Sequence, residues 1–297
     1  MSAPDFPAWS ALALARVEQA LTDWVPAAAP ARLGDAMRYA VLDGGKRLRP
    51  LLVLASAEAV QGNGSAALRA ACAVELIHAY SLVHDDMPCM DNDVLRRGKP
   101  TVHVQYGEAQ ALLAGDALQA LAFELLTPEG DAVPPAMQAA LCGLLARAAG
   151  AAGMAGGQAI DLASVGRVLT EAELRAMHRL KTGALLQAAV RMGAACAAPA
   201  LPVATRAALD DYGAAIGLAF QVVDDILDVT ADSAQLGKTA GKDAMQHKPT
   251  YVSLLGLAAA KARAAALREE ARAALAGFGE RARRLAEIAD FIILRHH

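Results

Sequence analysis

The sequence predicts an all-α fold in which long helices pack as a bundle. Of its 297 residues, 55% are hydrophobic but only 4% are aromatic, and alanine is abundant from end to end. Alanine and leucine are strong helix formers, whereas the β-branched and aromatic residues that favour strands are scarce. Apolar residues recur at helical rather than alternating spacing. Helix is therefore expected through most of the chain.

The apolar periodicity predicts helices over nine stretches, separated by short breaks that glycine or proline marks. These stretches are 8–24, 32–42, 50–60, 66–87, 107–126, 134–152, 171–196, 204–230 and 250–290. The second stretch is expected to stop at Asp43-Gly44-Gly45, because glycine commonly ends helices. No break resembles an interdomain linker, and no repeat of about 20–50 residues is present. Residues 1–297 are therefore expected to form one helical domain.

Charge and cysteine usage exclude several classes of function. The net charge is −3 and the pI is about 6.2, so no basic field attracts nucleic acid or anionic lipid. No uncharged apolar run reaches about 18 residues, and no basic patch precedes the first apolar stretch, so neither a membrane span nor a signal peptide is predicted. The four cysteines form no close pair and are expected to be reduced. We expect a cytoplasmic protein without stable membrane association.

The strongest local signal is a run of four acids within nine residues: Asp85, Asp86, Asp91 and Asp93. Like charges at this spacing repel one another, and a hard divalent cation would relieve the repulsion. Pro88 disfavours helix at the preceding residue, so the last two acids are expected on a loop that folds back over the helix end. Taken alone, the run would also suit a solvated acidic loop.

A second acid cluster, formed by Asp224, Asp225 and Asp228, lies on another apolar helix. Residues 216–223 before it carry no charge, so its acids are expected to point inward. Buried carboxylates without partners are costly. Two inward acid clusters in one bundle therefore predict a shared metal site. Mg²⁺ suits such a site, because carboxylates bind it and substrate phosphates complete its shell.

Basic residues stand beside the glycine breaks and the acid clusters, where arginine and lysine can bind phosphate groups. They are Lys46, Arg47, Arg49, Arg96, Arg97, Lys181, Lys238, Lys242 and Lys248.

Other metal sites are disfavoured. Glu75 and His78 form an ExxH unit, but a di-iron bundle site needs two such units. The cysteine and histidine spacing of zinc sites and the glycine-rich loops of nucleotide sites are both absent. His78 lies seven residues before Asp85 and is expected to join the phosphate site.

These motifs resemble the trans-isoprenyl diphosphate synthase (polyprenyl synthetase) family, and most closely its bacterial members that make farnesyl diphosphate. The matching stretches are GGKRLRP at 44–50, ELIHAYSLVHDDMPCMDNDVLRRGKPTVH at 75–103, GGQAIDL at 156–162, KTGALL at 181–186, FQVVDDILD at 220–228 and LGKTAGKD at 236–243. They follow the order of the family over about 200 residues. The resemblance implies a single-domain bundle around a deep central cavity, dependence on Mg²⁺ and a homodimer.

The resemblance also implies roles for individual residues. Metal ligands on the two sides of the allylic diphosphate would be Asp85, Asp86, Asp91, Asp224, Asp225 and Asp228. The isopentenyl diphosphate pocket would be Lys46, Arg49, His78 and Arg97. Ligands of the allylic diphosphate would be Arg96, Lys181, Lys238 and Lys248, with Thr182 and Gln221 as dipoles near the developing cation. Pro249 stands where related sequences commonly have a small polar residue, which leaves the direction of Lys248 open.

The expected reaction is head-to-tail condensation of isopentenyl diphosphate with dimethylallyl or geranyl diphosphate to give (2E,6E)-farnesyl diphosphate. Removing diphosphate from an allylic carbon needs cations on the leaving oxygens, and the resulting carbocation needs a dry apolar cavity. The alternatives are a geranylgeranyl diphosphate synthase, a terpene cyclase or head-to-head synthase, and a non-catalytic regulatory subunit. The GGKRLRP stretch disfavours a cyclase, and the intact acid clusters disfavour a regulatory subunit.

Product length is expected to depend on Tyr80 and Ser81. Ser81 is four residues before Asp85 and therefore lies one turn below it on the same helix face. A bulky Tyr80 ring at the same depth would close the tunnel into which the product grows. The resemblance agrees, because an aromatic residue at this position is typical of farnesyl diphosphate synthases. The alternative is that Tyr80 is an ordinary core aromatic.

Overall fold

Helices make up most of residues 5–42, 44–167, 169–197, 201–230 and 250–294, which the computed structural model describes. Within these ranges the α-helices are α1 (Phe6–Trp24), α2 (Leu33–Val41), α3 (Leu48–Ala59), α4 (Gly64–Asp85), α5 (Val102–Tyr106), α6 (Glu108–Leu126), α7 (Pro135–Ala149), α8 (Met154–Ala163), α9 (Glu171–His178), α10 (Ala184–Ala195), α11 (Val203–Thr230), α12 (Tyr251–Leu255), α13 (Leu257–Ala274) and α14 (Arg283–Leu294). Short 3₁₀ segments cover Pro30–Arg32 and Ala276–Ala282, and a π-helical turn covers Arg179–Gly183. Strands β1 (Leu95–Arg96) and β2 (Lys99–Pro100) form a small antiparallel hairpin.

Local sequence signals set several helix starts. The Asp5 carboxylate accepts the Ala8 amide at the start of α1, over 2.9 Å. The Asn63 side chain accepts the Ala66 amide in the same way at the start of α4. Thr170 and Glu173 form a reciprocal capping box at the start of α9. These side chains satisfy amide groups that a helix start leaves without partners.

Two antiparallel helix pairs bring the functional stretches to one end of the bundle. The His84 ring near the end of α4 lies 3.1 Å from the Leu112 carbonyl near the start of α6. In the second pair, Gly217 of α11 faces the turn before α10, where an added Cβ would lie 3.1 Å from the Gly183 Cα. Helix α3 packs against both α4 and α10. The acid-bearing ends of α4 and α11 and the π-helical turn therefore share the same part of the fold.

The all-α prediction is confirmed, and most predicted helices lie within a few residues of the observed ones. The glycine stop after α2 is also found, because Gly44 and Gly45 have φ values of +76° and +125°. The hairpin β1–β2 lies in a predicted break between helices and agrees with it. Two predictions were wrong. Helices α5 and α8 fall in stretches where no helix was expected, and the helix predicted over 250–290 is interrupted after Leu255 and Ala274. The first interruption occurs at Gly256, whose φ is +81°.

All four cysteines are free, as predicted, and two of them, Cys72 and Cys196, are buried. Three helical stretches in the described ranges are long and apolar enough to cross a membrane, judged by length and composition alone: Gly64–Asp85, Glu108–Leu126 and Pro135–Ala163. Two thirds (67%) of the apolar window in the first is buried inside the bundle. The absence of membrane association therefore stays a prediction.

Candidate active site

The first acid cluster folds back over the end of α4, as the sequence predicts. The Asp91 amide donates to the Asp85 carbonyl over 2.8 Å, and the Asn92 amide donates to the Met87 carbonyl over 3.1 Å. Burial is the main cause that raises the pKa of Asp85 to about 6, and the Asp91 and Asp86 carboxylates raise it further. Carboxyl groups that disfavour one another's charge in this way form a donor set suited to a hard divalent cation.

The hairpin places Arg96 directly on Asp86. The Arg96 Nε donates to both carboxylate oxygens, at 3.0 and 2.8 Å, and Nη2 donates to Oδ1 at 2.5 Å. Asp86 is only 3% exposed. Burial raises its pKa, and the hydrogen bond from Arg96 opposes the rise. A predicted metal ligand and a predicted diphosphate ligand thus hold each other in this structure, which the sequence did not indicate.

The π-helical turn carries Lys181 to Asp161 of α8, with which it forms an ion pair. The turn lies directly on α8, because a Cβ added to Gly157 would stand 2.1 Å from the Lys181 backbone nitrogen. Lys181 is also the charge that most opposes the raised pKa of Asp85. It therefore lies between acids from two different helices. Asp161 was missed as a site residue, although it is the acid of the GGQAIDL stretch.

Buried polar groups without charge lie close to this lysine. Burial lowers the pKa of His178 to about 4, so the ring is neutral at pH 7. The His178 ring stacks on Tyr251, with 6.0 Å between ring centroids. Within the described ranges, the His178 Nε2 and both amide atoms of Gln158 are buried and have no hydrogen-bond partner. These polar atoms surround the site with dipoles that the sequence patterns did not single out.

The second acid cluster is buried, as predicted from its uncharged helix. Asp225 and Asp228 are 3% and 5% exposed, and Asp224 is half-buried. The Gln221 side chain donates to Asp225 Oδ1 over 2.9 Å, and the Tyr251 amide donates to Asp225 Oδ2 over 2.7 Å. Asp225 therefore joins α11 to the start of α12 and fixes the predicted dipole Gln221.

No three histidine, cysteine, aspartate or glutamate side chains in the described ranges lie close enough together to hold a metal ion. Predicted ligands bind protein groups in this structure, as Asp86 binds Arg96 and Asp225 binds Gln221. The six-aspartate metal site stays a prediction. The residues fit Mg²⁺ in chemical kind, because they are all carboxylates and Asp85 carries a charge that its surroundings disfavour.

Three predicted isopentenyl diphosphate ligands lie close together on the other side of the hairpin. The Arg97 Nη1 donates to the Gly44 carbonyl over 2.7 Å, and a Cβ on Gly45 would meet the Arg97 guanidinium at 2.9 Å. The pKa of His78 is held well below its usual value by burial first and then by Arg49 and Arg97. The Arg49 Nε is buried without a hydrogen-bond partner within the described ranges. The fourth predicted ligand, Lys46, is exposed.

Arg47 differs from its neighbours in the GGKRLRP loop. Its side chain turns into the bundle, where it contacts Glu18 at 2.7 Å and Glu75 at 2.8 Å. Its guanidinium also donates to the Val41 carbonyl. The sequence grouped Arg47 with the basic residues placed for phosphate binding, but the structure surrounds it with carboxylates.

Of the two residues predicted to set product length, Tyr80 lies on the α4 face that turns toward α6. Tyr80 is half-buried, its ring meets the edge of the His84 ring at 5.7 Å between centroids, and its hydroxyl interacts with Gln119. The Ser81 hydroxyl donates to the His78 carbonyl over 2.9 Å. The predicted dipole Thr182 is half-buried in the π-helical turn.

Two predicted ligands of the allylic diphosphate, Lys238 and Lys248, lie outside the described residues.

Comparison with known proteins identifies the family. The model of the polyprenyl synthetase family matches residues 30–281. The chain is 50% identical to the "Probable farnesyl diphosphate synthase" of Bradyrhizobium diazoefficiens, over 95% of this chain and 86% of that protein. It is 47% identical to the chloroplastic geranylgeranyl pyrophosphate synthase of Capsicum annuum, over 94% of this chain and 76% of that protein.

A solved structure supports the same conclusion. The crystal structure of an FPP/GFPP synthase from Zymomonas mobilis superimposes with a TM-score of 0.86 at 41% identity. The alignment covers 97% of this chain and 98% of that one. The resemblance found in the sequence motifs is therefore confirmed, and the chain belongs to the polyprenyl synthetase family.

Proposed function

We propose that the protein is a prenyltransferase that condenses isopentenyl diphosphate with dimethylallyl and then geranyl diphosphate, giving (2E,6E)-farnesyl diphosphate. In each cycle the allylic C–O bond breaks, a carbon–carbon bond forms to isopentenyl diphosphate, and one proton and one diphosphate leave. The relatives that carry the name farnesyl diphosphate synthase support this choice. Relatives of similar identity are geranylgeranyl pyrophosphate synthases, which makes a twenty-carbon product the second candidate.

One observation carries the proposal: a cationic pocket and an acid-rich cluster share one end of the bundle. The Arg49, His78 and Arg97 group suits a diphosphate bound directly by the protein. The Asp85 group suits a diphosphate bound through cations. The cationic pocket adjoins the second acid cluster, since burial lowers the pKa of Arg49 and the Asp224 carboxylate is near enough to oppose that shift. Two diphosphate substrates held side by side are what head-to-tail condensation requires.

In the cationic pocket, arginines bind and orient isopentenyl diphosphate. The buried Arg49 Nε has no protein partner within the described ranges, so it is available to a phosphate oxygen. Arg97 is tied to the Gly44 carbonyl, which fixes its position relative to the loop. His78 is neutral at pH 7 and contributes hydrogen bonding rather than charge. This arrangement orients the double bond toward the allylic carbon.

At the second site, the residues of the chain favour departure of the allylic diphosphate. Magnesium, held by Asp85, Asp91 and Asp224 with their neighbouring aspartates, would supply positive charge to the leaving oxygens. Lys181, set between Asp85 and Asp161, adds a fixed cation. Thr182 and Gln221 offer dipoles to the developing carbocation. Arg96, Lys238 and Lys248 complete the proposed diphosphate ligands.

Product analysis tests the proposal directly. Purified protein is incubated with magnesium, isopentenyl diphosphate and each allylic starter, and products are identified by chromatography. We expect fifteen-carbon farnesyl diphosphate from the five- and ten-carbon starters. A twenty-carbon product would favour the geranylgeranyl alternative, whereas cyclised or head-to-head products would contradict the reaction class. No turnover with any starter would favour a regulatory subunit.

The tunnel floor is tested by Tyr80→Ala. The half-buried ring stands between α4 and α6, so its removal opens space below Asp85. We expect products of twenty carbons or more after exhaustive elongation. Phe123→Ala, which alters a half-buried aromatic residue elsewhere on α6, serves as the control and should keep the wild-type product. An unchanged product from the Tyr80 variant would place the floor elsewhere.

We also propose that residues 1–297 form a single catalytic domain that works as a homodimer in the cytoplasm. The short breaks between helices and a family match that covers residues 30–281 support the single domain. Exposed apolar side chains on α6, such as Leu112 and Leu113, offer a surface that a second copy would cover. Sedimentation of the purified protein measures the oligomeric state, and a monomer at working concentration would contradict the homodimer.

A further inference from the structure

Glu75 and Arg47 are buried charges that the proposed reaction leaves without a role. The ExxH unit drew attention to Glu75 as a metal ligand, but its Oε1 accepts from the Arg47 Nη1 over 2.8 Å. The side chains are 4% and 2% exposed. Arg47 also binds Glu18 of α1, with Nε to Oε1 at 2.7 Å and Nη2 to Oε2 at 3.3 Å. Burying the charges of Arg47 and Glu75 is costly, so these residues need an explanation beyond simple stability.

Two buried polar atoms without hydrogen-bond partners among the described residues suggest a role for the Arg47–Glu75 pair. The second oxygen of Glu75, Oε2, is buried and has no hydrogen-bond partner in the described part of the chain. The Arg49 Nε is in the same situation. Glu75 is also the foremost of the charges that favour the cationic form of Arg49. A carboxylate and a guanidinium that attract each other thus remain unbonded within one buried region.

The position of Arg47 explains why they remain apart. Arg47 precedes α3 with a left-handed φ of +43°, and its carbonyl accepts the Leu51 amide over 3.1 Å. The loop therefore turns the Arg47 side chain inward, onto the glutamates. Arg49, two residues later, lies beside the guanidinium of Arg97 and the neutral His78 ring. The loop residue Arg47 therefore contacts the carboxylates, whereas Arg49 in the first turn of α3 lies beside Arg97 and His78.

We propose that Arg47 is a positioning residue that occupies Glu75 and thereby keeps Arg49 available to isopentenyl diphosphate. Without Arg47, the Glu75 carboxylate would regain its charge partner by binding Arg49. The substrate diphosphate would then have to displace an internal ion pair before it could bind. Arg47 does not touch the substrate. This inference rests on the proposed function, since it assigns the Arg49 pocket to isopentenyl diphosphate.

Arg47→Met is the first test, measured by steady-state kinetics with both substrates varied. We expect the KM for isopentenyl diphosphate to rise about ten-fold or more, because Arg49 is captured by Glu75. The KM for geranyl diphosphate and the kcat at saturation should change by less than about two-fold. Arg284→Met is the matched control, because Arg284 is another buried arginine, paired with Glu287 at 2.7 Å on α14. It should lower the melting temperature without changing the KM for isopentenyl diphosphate.

A second variant separates positioning from mere stability. Arg47→Met combined with Glu75→Gln removes both the Arg47 guanidinium and the Glu75 carboxylate that would otherwise bind Arg49. We expect the KM for isopentenyl diphosphate to return to within about three-fold of wild type. A double variant as impaired as Arg47→Met would overturn the inference, since a structural defect is not repaired by a second loss. Where Arg47→Met does not fold, Arg47→Lys with and without Glu75→Gln gives the same comparison, because lysine cannot bind both glutamates in a bidentate manner.

Arg49→Ala distinguishes failure of the inference from failure of the function. If Arg49→Ala raises the KM for isopentenyl diphosphate but Arg47→Met does not, only the positioning role of Arg47 is wrong. If Arg49→Ala itself leaves that KM unchanged, the pocket assignment is wrong and the inference falls with it.

Discussion

The cationic pocket and the acid-rich site differ in how their charges are satisfied. In the pocket, Arg49 keeps a buried N–H without a protein partner within the described ranges, while Arg47 occupies the neighbouring glutamates. In the acid-rich site, the cations and acids hold one another, as in the pairs of Arg96 with Asp86 and Lys181 with Asp161. The pocket is therefore ready for an anion, whereas the acid-rich site would have to exchange internal partners to bind the proposed metal and diphosphate.

This difference has a physical origin. A diphosphate bound only by protein cations needs those cations assembled beforehand, and buried counter-charges behind them offset their mutual repulsion. A site that binds both a metal and a diphosphate contains carboxylates and cationic side chains together. These side chains form ion pairs with one another when metal and diphosphate are absent. Such pairs leave few uncompensated charges, but each ligand must displace them. We therefore expect isopentenyl diphosphate to bind a pocket that is already assembled, and the allylic diphosphate to bind only after ion pairs are broken.

The largest expected effect is loss of turnover when the acid-rich site loses an aspartate. Asp85→Ala or Asp224→Ala should lower kcat by about 10³-fold or more, because each removes stabilisation of the leaving diphosphate. Single-turnover assays with geranyl diphosphate measure the effect. Asp210→Ala is the control, since Asp210 pairs with Arg191 at 2.5 Å far along α10 and α11 from the site. Near-normal turnover in either site variant would contradict the role of the acid clusters.

The same Asp85 substitution should not weaken the fold. Burial and the neighbouring carboxylates raise the pKa of Asp85 to about 6. At pH 7 the carboxyl group is largely ionised, and its charge costs more free energy in the folded than in the unfolded protein. Replacing Asp85 with a neutral side chain removes the free-energy cost of this charge. The melting temperature without metal should therefore stay equal or rise, and a clear fall would show that the carboxylate stabilises the fold.

A smaller effect separates the two substrates. Arg49→Ala should raise the KM for isopentenyl diphosphate by about 10- to 100-fold and leave the KM for geranyl diphosphate nearly unchanged. Lys181→Ala should act mainly on the allylic substrate and on kcat, since Lys181 lies beside Asp85 and Asp161. Varying each substrate at saturation of the other measures both constants. Equal damage to both substrates in both variants would show that the basic residues are divided wrongly.

The smallest expected effect concerns the internal pair Arg96–Asp86. Arg96→Gln frees the Asp86 carboxylate and removes a nearby positive charge, so Mn²⁺ used as a probe should bind the substrate-free protein a few-fold more tightly. Turnover should fall, because the proposed diphosphate ligand is lost. Arg191→Gln, which breaks the Asp210 pair elsewhere, should leave Mn²⁺ binding unchanged. Unchanged or weaker Mn²⁺ binding in the Arg96 variant would contradict the competition between partner and metal.

The helices could be predicted because their signals are local. The Asp85 helix is a long apolar stretch that ends where Pro88 disfavours helix, and it is found at Gly64–Asp85. Helix α8 was missed because residues 153–157 contain three glycines, which weaken its helical signal. The packing of α8 explains why glycine is needed there, since only a residue without a side chain at position 157 lets α8 lie on the Lys181 backbone. Contacts between distant elements of this kind have no local signature.

The partners of the site residues were equally hidden. Sequence motifs grouped Arg47 with Arg49, but only the fold shows that the first is held by Glu18 and Glu75. Spacing likewise gave no reason to pair Arg96 with Asp86 across the hairpin or Lys181 with Asp161 across two helices. Residue type and order predict which groups gather at a site. Which of them neutralise one another depends on tertiary geometry.

Calorimetric titration of the wild-type protein, with EDTA and then with magnesium, tests the difference between the two sites most directly. The ligands are isopentenyl diphosphate and a thio analogue of geranyl diphosphate, in which the bond between the allylic carbon and the diphosphate group resists cleavage. We predict that isopentenyl diphosphate binds without metal, with a Kd within about ten-fold of its value in magnesium, because its pocket is assembled beforehand. The allylic analogue should gain at least about 100-fold in affinity when magnesium is added. Equal metal dependence of the two ligands, or allylic binding that ignores magnesium, would contradict a ready pocket beside a site that must reorganise.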